Sequence, residues 1–196
     1  MNFEVVKKFE EKVAKYFGAP YAVAVDSCTH GLELCLRYEN IDKVTIPTHT
    51  YISVPFLAKK LNLKWDWKEE DWKDYYYLGD TNIIDAAVLW KENSYIPDSY
   101  MCLSFQFKKH LNLSRGGMIL LNNRKSYTDL KQMSHDGRDP DIPWRNQNIK
   151  TIGYHYYMTP EIAQLGIDKL PEAIQRKPKK WTLNDWPDLR NMEVFK

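Results

Sequence analysis

The sequence predicts an α/β protein with a mostly parallel sheet. Short apolar runs rich in β-branched residues alternate with segments whose apolar residues recur at helical spacing, and polar or glycine-containing turns separate them. The length of 196 residues is that of one domain with a sizeable core. In such a fold we expect the functional residues at the carboxyl ends of the strands.

The N-terminal segment predicts an amphipathic helix. Its apolar side chains recur every three or four residues, at Phe3, Val6, Phe9, Val13, Tyr16 and Phe17. Gly18 follows as a natural C-terminal breaker. The next segment, YAVAVDS, is a β-rich run that stops at Asp26 and Ser27, and THGLELCLRYE returns to the helical period. A strand, a polar turn and a second helix are therefore expected.

The middle of the chain repeats this alternation. KVTIPTHTYIS predicts a buried strand that runs into a polar loop, VPFLAKKLN predicts the helix after it, and KWDWKEEDW predicts a short strand or edge segment. Three more apolar runs predict strands: TNIIDAAVLW, whose strand ends at Asp85, then YMCLSFQF and GGMILLNN. Together these segments supply the strands of one central sheet.

The pattern changes after Asn123. RKSYTDLKQMSHDGRDPDIPWRNQNIK is polar and rich in Asp, Gly and Pro, which predicts a short helix and a long loop. TPEIAQLGIDKLPEAIQRK predicts a helix with Thr159 as its N-cap, which Pro171 should kink or break. We expect a large domain over residues 1–150. Residues 151–196 should form a C-terminal helix and tail packed on it, the tail after Lys177 only in part, without a separate small domain.

The composition excludes several classes of partner. The 28 basic and 26 acidic residues give a net charge of +2, too balanced to attract nucleic acid or an acidic membrane. The three cysteines form no CxxC and the five histidines no HxxxH, so neither a disulfide framework nor a metal site is expected. No segment has the apolar length of a signal peptide or membrane span. A cytoplasmic protein with neither nucleic-acid nor membrane partners is expected.

Three strand ends carry candidate ligand-binding groups. Ser27 and Thr29 begin a helix, where backbone amides and the helix dipole favour a phosphate, although such turns more often serve only to cap the helix. Tyr51 offers a flat face to a ring, or is an ordinary surface or core tyrosine. Asp85 is either held by backbone amides or paired with a cationic group of a ligand.

A fourth candidate is Lys109, in the segment SFQFKKHLNLSRGG. A lysine at the end of a buried strand can lose its proton through desolvation, and its neutral amine then reacts with an aldehyde. A phosphate cradle, a flat aromatic ring, an aspartate and a lysine are the parts that a pyridoxal phosphate (PLP) site needs. Their occurrence together predicts such a site.

Five segments carry a family resemblance: FEEKVAKYFGAPYAVAVDSCTHGLELCL, PTHTY, DAAV, SFQFKKHLNLSRGG and GYHYYMTPEIAQLGIDKLPEAIQRK. They are similar, in this order, to an opening helix with an S-G-T-x-A-L turn, to P-x-x-T-[FYW], to D-A-A-[QH], to S-F-x-x-x-K-x-[IL] with E-G-G, and to G-Y-N-x-R-M with its helix. These are motifs of the DegT/DnrJ/EryC1/StrS sugar aminotransferases, PLP enzymes of fold type I. The spacing in the fourth segment selects Lys109 over Lys108.

The resemblance implies a three-layer α/β/α fold, like the large domain of fold type I aminotransferases, and PLP as the cofactor. By position, Ser27, Cys28 and Thr29 with their amides would hold the PLP phosphate. Ser104 would help them, and Tyr51 would stack on the ring.

The resemblance also implies the catalytic residues. Asp85 would bind the pyridine nitrogen, and Lys109 would hold the cofactor covalently and act as general base and acid. His155 stands where the family has an asparagine that reaches the phosphate in the partner subunit's site. A homodimer with shared active sites is therefore expected.

The sequence also departs from the family pattern. Cys28 replaces the glycine of S-G-T, Val88 a polar residue that touches the cofactor ring, Arg115 the glutamate of E-G-G, and Tyr157 the arginine of the last motif. The family's C-terminal small domain has no counterpart in these 196 residues, and neither does a strand and helix before Asp85. These changes affect substrate turnover more than cofactor binding.

Three functions follow as alternatives. The first is a PLP-dependent aminotransferase that transfers an amino group from an amino acid to a keto sugar, which the resemblance implies is linked to a nucleotide. The second is a degenerate member that binds PLP or a sugar nucleotide without transamination, or a partner of a full-length enzyme. The third treats IQRKPKKW as a nucleic-acid-binding tail, although such basic runs are more often solvated termini.

Overall fold

The computed structural model describes residues 3–196 and contains five α-helices and seven strands within them. The helices are α1 (Glu4–Phe17), α2 (Cys28–Tyr38), α3 (Ser53–Lys60), α4 (Arg124–Ser134) and α5 (Pro160–Gln175). The strands are β1 (Tyr21–Val25), β2 (Lys43–Pro47), β3 (Lys64–Lys68), β4 (Tyr76–Tyr77), β5 (Ile83–Asp85), β6 (Tyr100–Ser104) and β7 (Gly117–Leu121). The predicted alternation of strands and helices is confirmed.

The main sheet has five strands in the order β1-β7-β6-β5-β4. Strands β1, β5 and β6 run in one direction, whereas β7 and β4 run in the other, so β5–β6 is the one parallel pair among these neighbours. Strands β2 and β3 form a separate parallel pair. The expectation of a mostly parallel sheet is thus met in part. The reason is that residues 105–116 join β6 to β7 as a loop, without the helical crossover that parallel neighbours require.

Two hydrophobic cores lie on opposite faces of this sheet. In β1, Ala22 and Ala24 join the core that contains α1 and α5, while Val23 and Val25 join the core that contains α2, α3 and α4. The same alternation holds along β6 and β7, as the twofold period of a strand requires. The fold is therefore three-layered, as predicted, with helices covering both faces.

The ends of α1 and α5 show how local signals and packing compete. Gly18 ends α1 in the left-handed conformation, with φ of 77°, as predicted. Thr159 occupies the N-cap position of α5, but its side chain caps no backbone amide. The expected break at Pro171 is wrong, because α5 continues through it to Gln175. Apolar packing of α5 against α1 and the sheet compensates for the hydrogen bond that proline cannot donate.

The C-terminal tail packs more completely than expected. Leu189 is only 1% exposed, and its backbone amide donates to the carbonyl of Thr48 at 2.9 Å. Trp181 and Trp186 stack on each other at 5.5 Å and pack against the core that contains α2, α3 and α4. Single large side chains anchor this tail, and they leave no periodic pattern in the sequence. Within residues 3–196 no helix is both long and apolar enough to cross a membrane.

Candidate active site

A cavity of about 630 Å³ lies where β1, β5 and β6 end. Seven of the eight predicted site residues line it: Ser27, Cys28, Thr29, Tyr51, Asp85, Ser104 and Lys109. The topology brings together groups that are far apart in the sequence, because the parallel strands β1, β5 and β6 end at the same edge of the sheet.

One end of the cavity is the N-terminus of α2. Ser27 is the N-cap, and its hydroxyl accepts from the amide of His30 at 3.2 Å. The Thr29 hydroxyl lies 2.7 Å from that of Ser53, the first residue of α3. Ser27 therefore does cap its helix, and the same end also presents hydroxyls and first-turn amides to the cavity, a combination suited to an anion.

Asp85 forms the polar floor of the cavity. One carboxylate oxygen accepts from the hydroxyl of Tyr76 at 2.7 Å, and the other from the amide of Ala87 at 2.9 Å. The Tyr76 hydroxyl also lies 2.6 Å from that of Thr50. Burial raises the pKa of Asp85, whereas Tyr76, the Ala87 amide and the positive charge of Lys109 lower it. The Ala87 amide confirms the first interpretation of Asp85, a carboxylate held by backbone, and its pairing with a cationic group of a ligand stays a prediction.

The loop after β6 places Lys109. Buried Phe105, Leu111 and Leu113 anchor the loop, and the amide of Lys109 donates to the Gln106 carbonyl at 2.8 Å, which closes a turn. The Lys109 side chain lies half-buried. Its burial lowers the pKa of the amine below the ordinary value of 10.5, and the negative charge of Asp85 opposes this shift.

Lys108 differs from its neighbour. It is exposed, and its ammonium lies 5.7 Å from the ring centroid of Phe107. The Lys109 ammonium instead lies 4.9 Å from the centroid of Trp181 and 5.3 Å from that of Trp186. Cation–π contacts favour the protonated amine, while desolvation favours the neutral one. Lys109 is therefore the more enclosed of the two lysines, with its amine against the rings of the tail.

The tail covers the cavity with aromatic rings. Trp181, Trp186 and Pro187 line it beside Tyr51, which is 52% exposed and meets Trp186 edge to face at 6.4 Å. The indole N–H of Trp186 is buried without a hydrogen-bond partner. A buried indole N–H usually donates to an acceptor, so the Trp186 N–H is a free donor in the cavity lining that a ligand can use.

The eighth predicted residue, His155, lies outside this cavity. It is exposed, with Nδ1 3.1 Å from a carboxylate oxygen of Asp136 and Nε2 3.1 Å from the Tyr157 hydroxyl. Arg115, by contrast, does line the cavity and forms an ion pair with Asp26 at 2.6 Å. His155 therefore contributes no side chain to the lining of the cavity in its own chain.

The structure also reveals residues that the sequence analysis missed. Tyr76 and Ser53 contact predicted site residues, and Trp181 and Trp186 cover Lys109. The two tryptophans of the tail and the YYY run at residues 75–77 are visible in the sequence, but neither pattern indicates which residue it contacts. No group of three or more His, Cys, Asp or Glu side chains in the described part of the chain could hold a metal ion.

The residues present fit PLP. Hydroxyls and helix amides lie at one end, a buried carboxylate at the floor and a lysine amine on the wall, which matches a phosphate, a pyridine nitrogen and an aldehyde. The volume is within the range of small-ligand sites. At the phosphate end, a Cβ on Gly117 would lie 2.5 Å from the amide nitrogen of Cys28, so glycine alone permits this approach of β7 to α2.

A model of the DegT/DnrJ/EryC1/StrS aminotransferase family matches residues 1–71 and 97–184. The chain belongs to this family. The matched ranges leave out residues 72–96, which contain both Asp85 and Tyr76. The curated relative MJ1066 of Methanocaldococcus jannaschii, an uncharacterized protein, is 23% identical over 229 aligned positions, which cover 88% of this chain and 58% of that protein.

Solved structures share the fold of this DegT/DnrJ/EryC1/StrS family member. AtS13 from Actinomadura melliaura has a TM-score of 0.75 at 19% identity, over 89% of this chain and 61% of that one. The sugar aminotransferase CalS13 from Micromonospora echinospora has a TM-score of 0.73 at 14% identity, over 87% and 61%. Spr1654 from Streptococcus pneumoniae, in its PLP form, has a TM-score of 0.71 at 17% identity, over 87% and 60%.

The chain thus spans about three fifths of the length of the proteins that it matches. Family membership and the PLP form of a structural neighbour indicate pyridoxal phosphate as the cofactor. The departure at Cys28 places a buried thiol beside the floor, 4.0 Å from Asp85, and this thiol donates to the Cys102 carbonyl at 3.3 Å. Burial raises the pKa of this thiol, so it remains uncharged beside the carboxylate.

Replacing Tyr76 by phenylalanine should destabilise the protein by about 1–3 kcal/mol near neutral pH, because a buried carboxylate loses a donor. The Tyr76 hydroxyl lowers the pKa of Asp85, so Tyr76→Phe raises that pKa. The loss is largest where Asp85 is ionised and shrinks as the pH falls through its pKa. Urea unfolding at neutral and acidic pH measures both effects. The control is Tyr77→Phe, at an exposed neighbour, and equal effects of the two changes would contradict the prediction.

Proposed function

We propose that this chain binds PLP in the cavity and acts as an aminotransferase that moves an amino group from an amino acid to a keto sugar, one linked to a nucleotide. The observation that carries the proposal is that the Lys109 amine and the Asp85 carboxylate face one covered cavity and perturb each other's pKa. When bound, PLP would supply the electron-accepting ring for the transfer.

Each residue of the chain has a role in this proposal. Asp85, fixed by Tyr76 and the Ala87 amide, keeps a proton on the pyridine nitrogen through its negative charge. Lys109 holds the cofactor through Nζ when neutral, and the same nitrogen carries a proton to or from the substrate carbon. The low pKa that burial gives Lys109 increases its neutral fraction near physiological pH.

The opposite end of the cavity would bind the phosphate. Ser27, Thr29 and Ser104 present hydroxyls, and the first-turn amides of α2 add donors and a positive helix end. Cys28 contributes its amide, which does not depend on its side chain. Tyr51 flanks the ring from the exposed side of the cavity.

The keto sugar and the dimer belong to the proposal as well. Membership of an aminotransferase family and the fold shared with CalS13, a sugar aminotransferase, support a sugar substrate. His155 is exposed and outside the chain's own cavity, the position that a residue acting in a partner subunit's site would need. The cysteines are all free and buried, which suits the reducing cytoplasm proposed for the protein.

The departures from the family motifs favour a second candidate. Because Cys28, Val88 and Tyr157 stand where the family has a glycine, a polar residue and an arginine, the protein can be a member that binds PLP without transamination, or a partner of a full-length enzyme. The candidate cofactor-binding residues of the cavity lie within residues 27–109. Cofactor binding and turnover are therefore separable.

An absorbance spectrum separates the two candidates. The protein mixed with PLP should develop the visible band of lysine-bound cofactor, and added L-glutamate should replace it with the spectrum of the amino form, because Lys109 is released as the amino group is accepted. A band that glutamate never changes would reject transamination and favour the binder. Absence of any band would reject the proposed function entirely.

A further inference from the structure

Two tryptophans of the tail lie close to the amine of Lys109. They belong to residues 179–186, which we call the tail segment, and both line the cavity. The Lys109 ammonium is 4.9 Å from the ring centroid of Trp181 and 5.3 Å from that of Trp186. Both distances are within the range of about 6 Å over which an aromatic face attracts a cation. One amine is therefore in contact with two rings from a segment that is remote in the sequence.

Contacts on both sides fix the tail segment in place. Lys179 pairs with Asp185 at 2.5 Å, and the Asp185 carboxylate also accepts from the amide of Thr182 at 2.9 Å. Nδ1 of His49 donates to the carbonyl of Trp186 at 3.1 Å. The rings are thus held beside Lys109 by contacts that do not involve the lysine. An amine that settles between rings already in place loses less conformational entropy than one that has to order them.

Other charged and titratable groups also face the Lys109 amine. Asp85 of β5 attracts its positive charge, and Lys108 and Lys179 repel it. The Cys28 thiol of α2, next to Asp85, is uncharged because burial raises its pKa. All four groups remain when a ring is replaced, so a ring substitution removes the cation–π contact and leaves the charges unchanged.

We propose that Trp181 and Trp186 are positioning residues for Lys109: they hold its ammonium group against the tail, and the amine leaves them when Lys109 takes up the cofactor. The proposal rests on the proposed function only in naming PLP as the group taken up. In that step the neutral Nζ adds to the aldehyde carbon and one water leaves. An ammonium held by the rings has to lose its proton first, so the two rings determine the pH above which Lys109 reacts.

Apolar packing is a simpler explanation for the two rings, since both pack against the core that contains α2, α3 and α4. Packing explains why the tail segment lies on the large domain. It does not explain why both ring centroids lie within cation–π distance of one ammonium. The two explanations differ in what they predict, because loss of packing lowers stability whereas loss of the cation–π contact moves a pH profile.

The test is the rate at which the visible band of bound PLP forms in the full chain, measured by stopped-flow absorbance from about pH 6 to pH 10, below the ordinary lysine pKa. Trp181→Leu removes the nearer ring and keeps an apolar side chain. Because the ring favours the ammonium, its loss lowers the pKa of Lys109 and raises the neutral fraction. Uptake below that pKa should become about threefold to thirtyfold faster, and its midpoint should fall by about 0.5 to 1.5 pH units. At high pH the two rates should converge.

Trp181→Phe and Trp144→Leu are the controls. Phenylalanine keeps an aromatic face with a weaker attraction, so its profile should lie between the other two, and it carries the test if Trp181→Leu does not fold. Trp144 is 67% exposed and outside the cavity lining, so its replacement should leave the profile in place. An acceleration of equal size at every pH would show that Trp181 only obstructs the cavity. That result, or an unmoved profile, would overturn the proposal.

A second measurement needs no cofactor. In reductive methylation the neutral amine adds to formaldehyde with loss of water, and cyanoborohydride donates a hydride to the product. Mass spectrometry of the Lys109 peptide gives the rate against pH, and Trp181→Leu should move this profile to lower pH by the same amount. A shifted methylation profile without any PLP band supports this inference and rejects the proposed function. A PLP band with an unmoved methylation profile rejects this inference alone.

Discussion

Replacing Lys109 by alanine is expected to abolish the visible band of bound PLP, while Lys108→Ala leaves it in place. The two lysines are adjacent, yet Lys108 is exposed whereas Lys109 is half-buried, and burial lowers the pKa of the Lys109 amine. Alanine removes the nitrogen through which the cofactor would be held, and Lys108, the other lysine in the lining, is exposed rather than half-buried. Absorbance spectra of the two variants, each titrated with PLP, measure the effect.

The matched pair makes this prediction sharp. Both variants lose one positive charge at one end of the same loop, so a general electrostatic effect on an anionic cofactor would weaken both alike. A larger loss of the PLP band in Lys109→Ala than in Lys108→Ala assigns the effect to the Lys109 amine rather than to charge in general. A band that survives Lys109→Ala, or that disappears in Lys108→Ala, would show that the spacing from Ser104 selects the wrong lysine. Circular dichroism confirms that each variant remains folded.

The site was predictable where it depends on local signals at strand ends. Ser27 and Thr29 follow a β-rich run and open a helix, Asp85 ends an apolar strand, and Lys109 has a fixed spacing from Ser104. A parallel arrangement of β1, β5 and β6 then brings these ends to one edge. The alternation of strands and helices likewise predicted the three layers, because the helices that connect strands cover the faces of the sheet.

Other parts of the site depend on contacts that are distant in the sequence. Tyr76 reaches Asp85 because β4 pairs antiparallel with β5 in a register that places the two residues opposite each other. No local pattern fixes that register for a two-residue strand. Trp181 and Trp186 cover Lys109 through single aromatic contacts, so a tail without hydrophobic periodicity gave no signal of its position.

The sequence also did not determine whether neighbouring strands are parallel or antiparallel. The sequence showed apolar runs, which have the same appearance in parallel and antiparallel sheets. What reverses β7 is the compact loop of residues 105–116, and what allows β7 to lie close to α2 is Gly117. The loop that positions Lys109 therefore also makes this part of the sheet antiparallel.

Gly117→Ala is expected to destabilise the protein by about 3 kcal/mol or more, which is the range of severe overpacking. A Cβ on Gly117 would lie 2.5 Å from the Cys28 amide nitrogen and 2.5 Å from the Ser27 carbonyl carbon. Both are backbone atoms that cannot rotate away. The strand cannot shift either, because Gly117 is paired with Val25 on one side and Ser104 on the other. Urea unfolding measures the change in free energy.

Gly31→Ala is the matched control, because it adds the same methyl group in the same neighbourhood. A Cβ there would lie 3.3 Å from a side-chain carbon of Ile119, which can move by a few tenths of an ångström, and alanine favours the helix by about 1 kcal/mol. We expect its stability to stay within about 1 kcal/mol of the original.

The Gly117 variant should also lose affinity for PLP at temperatures where it remains folded, because the methyl group displaces the first turn of α2 from the phosphate end. Equal stability of the two variants would mean that β7 can withdraw from α2, and that the close approach of these elements does not shape the cavity.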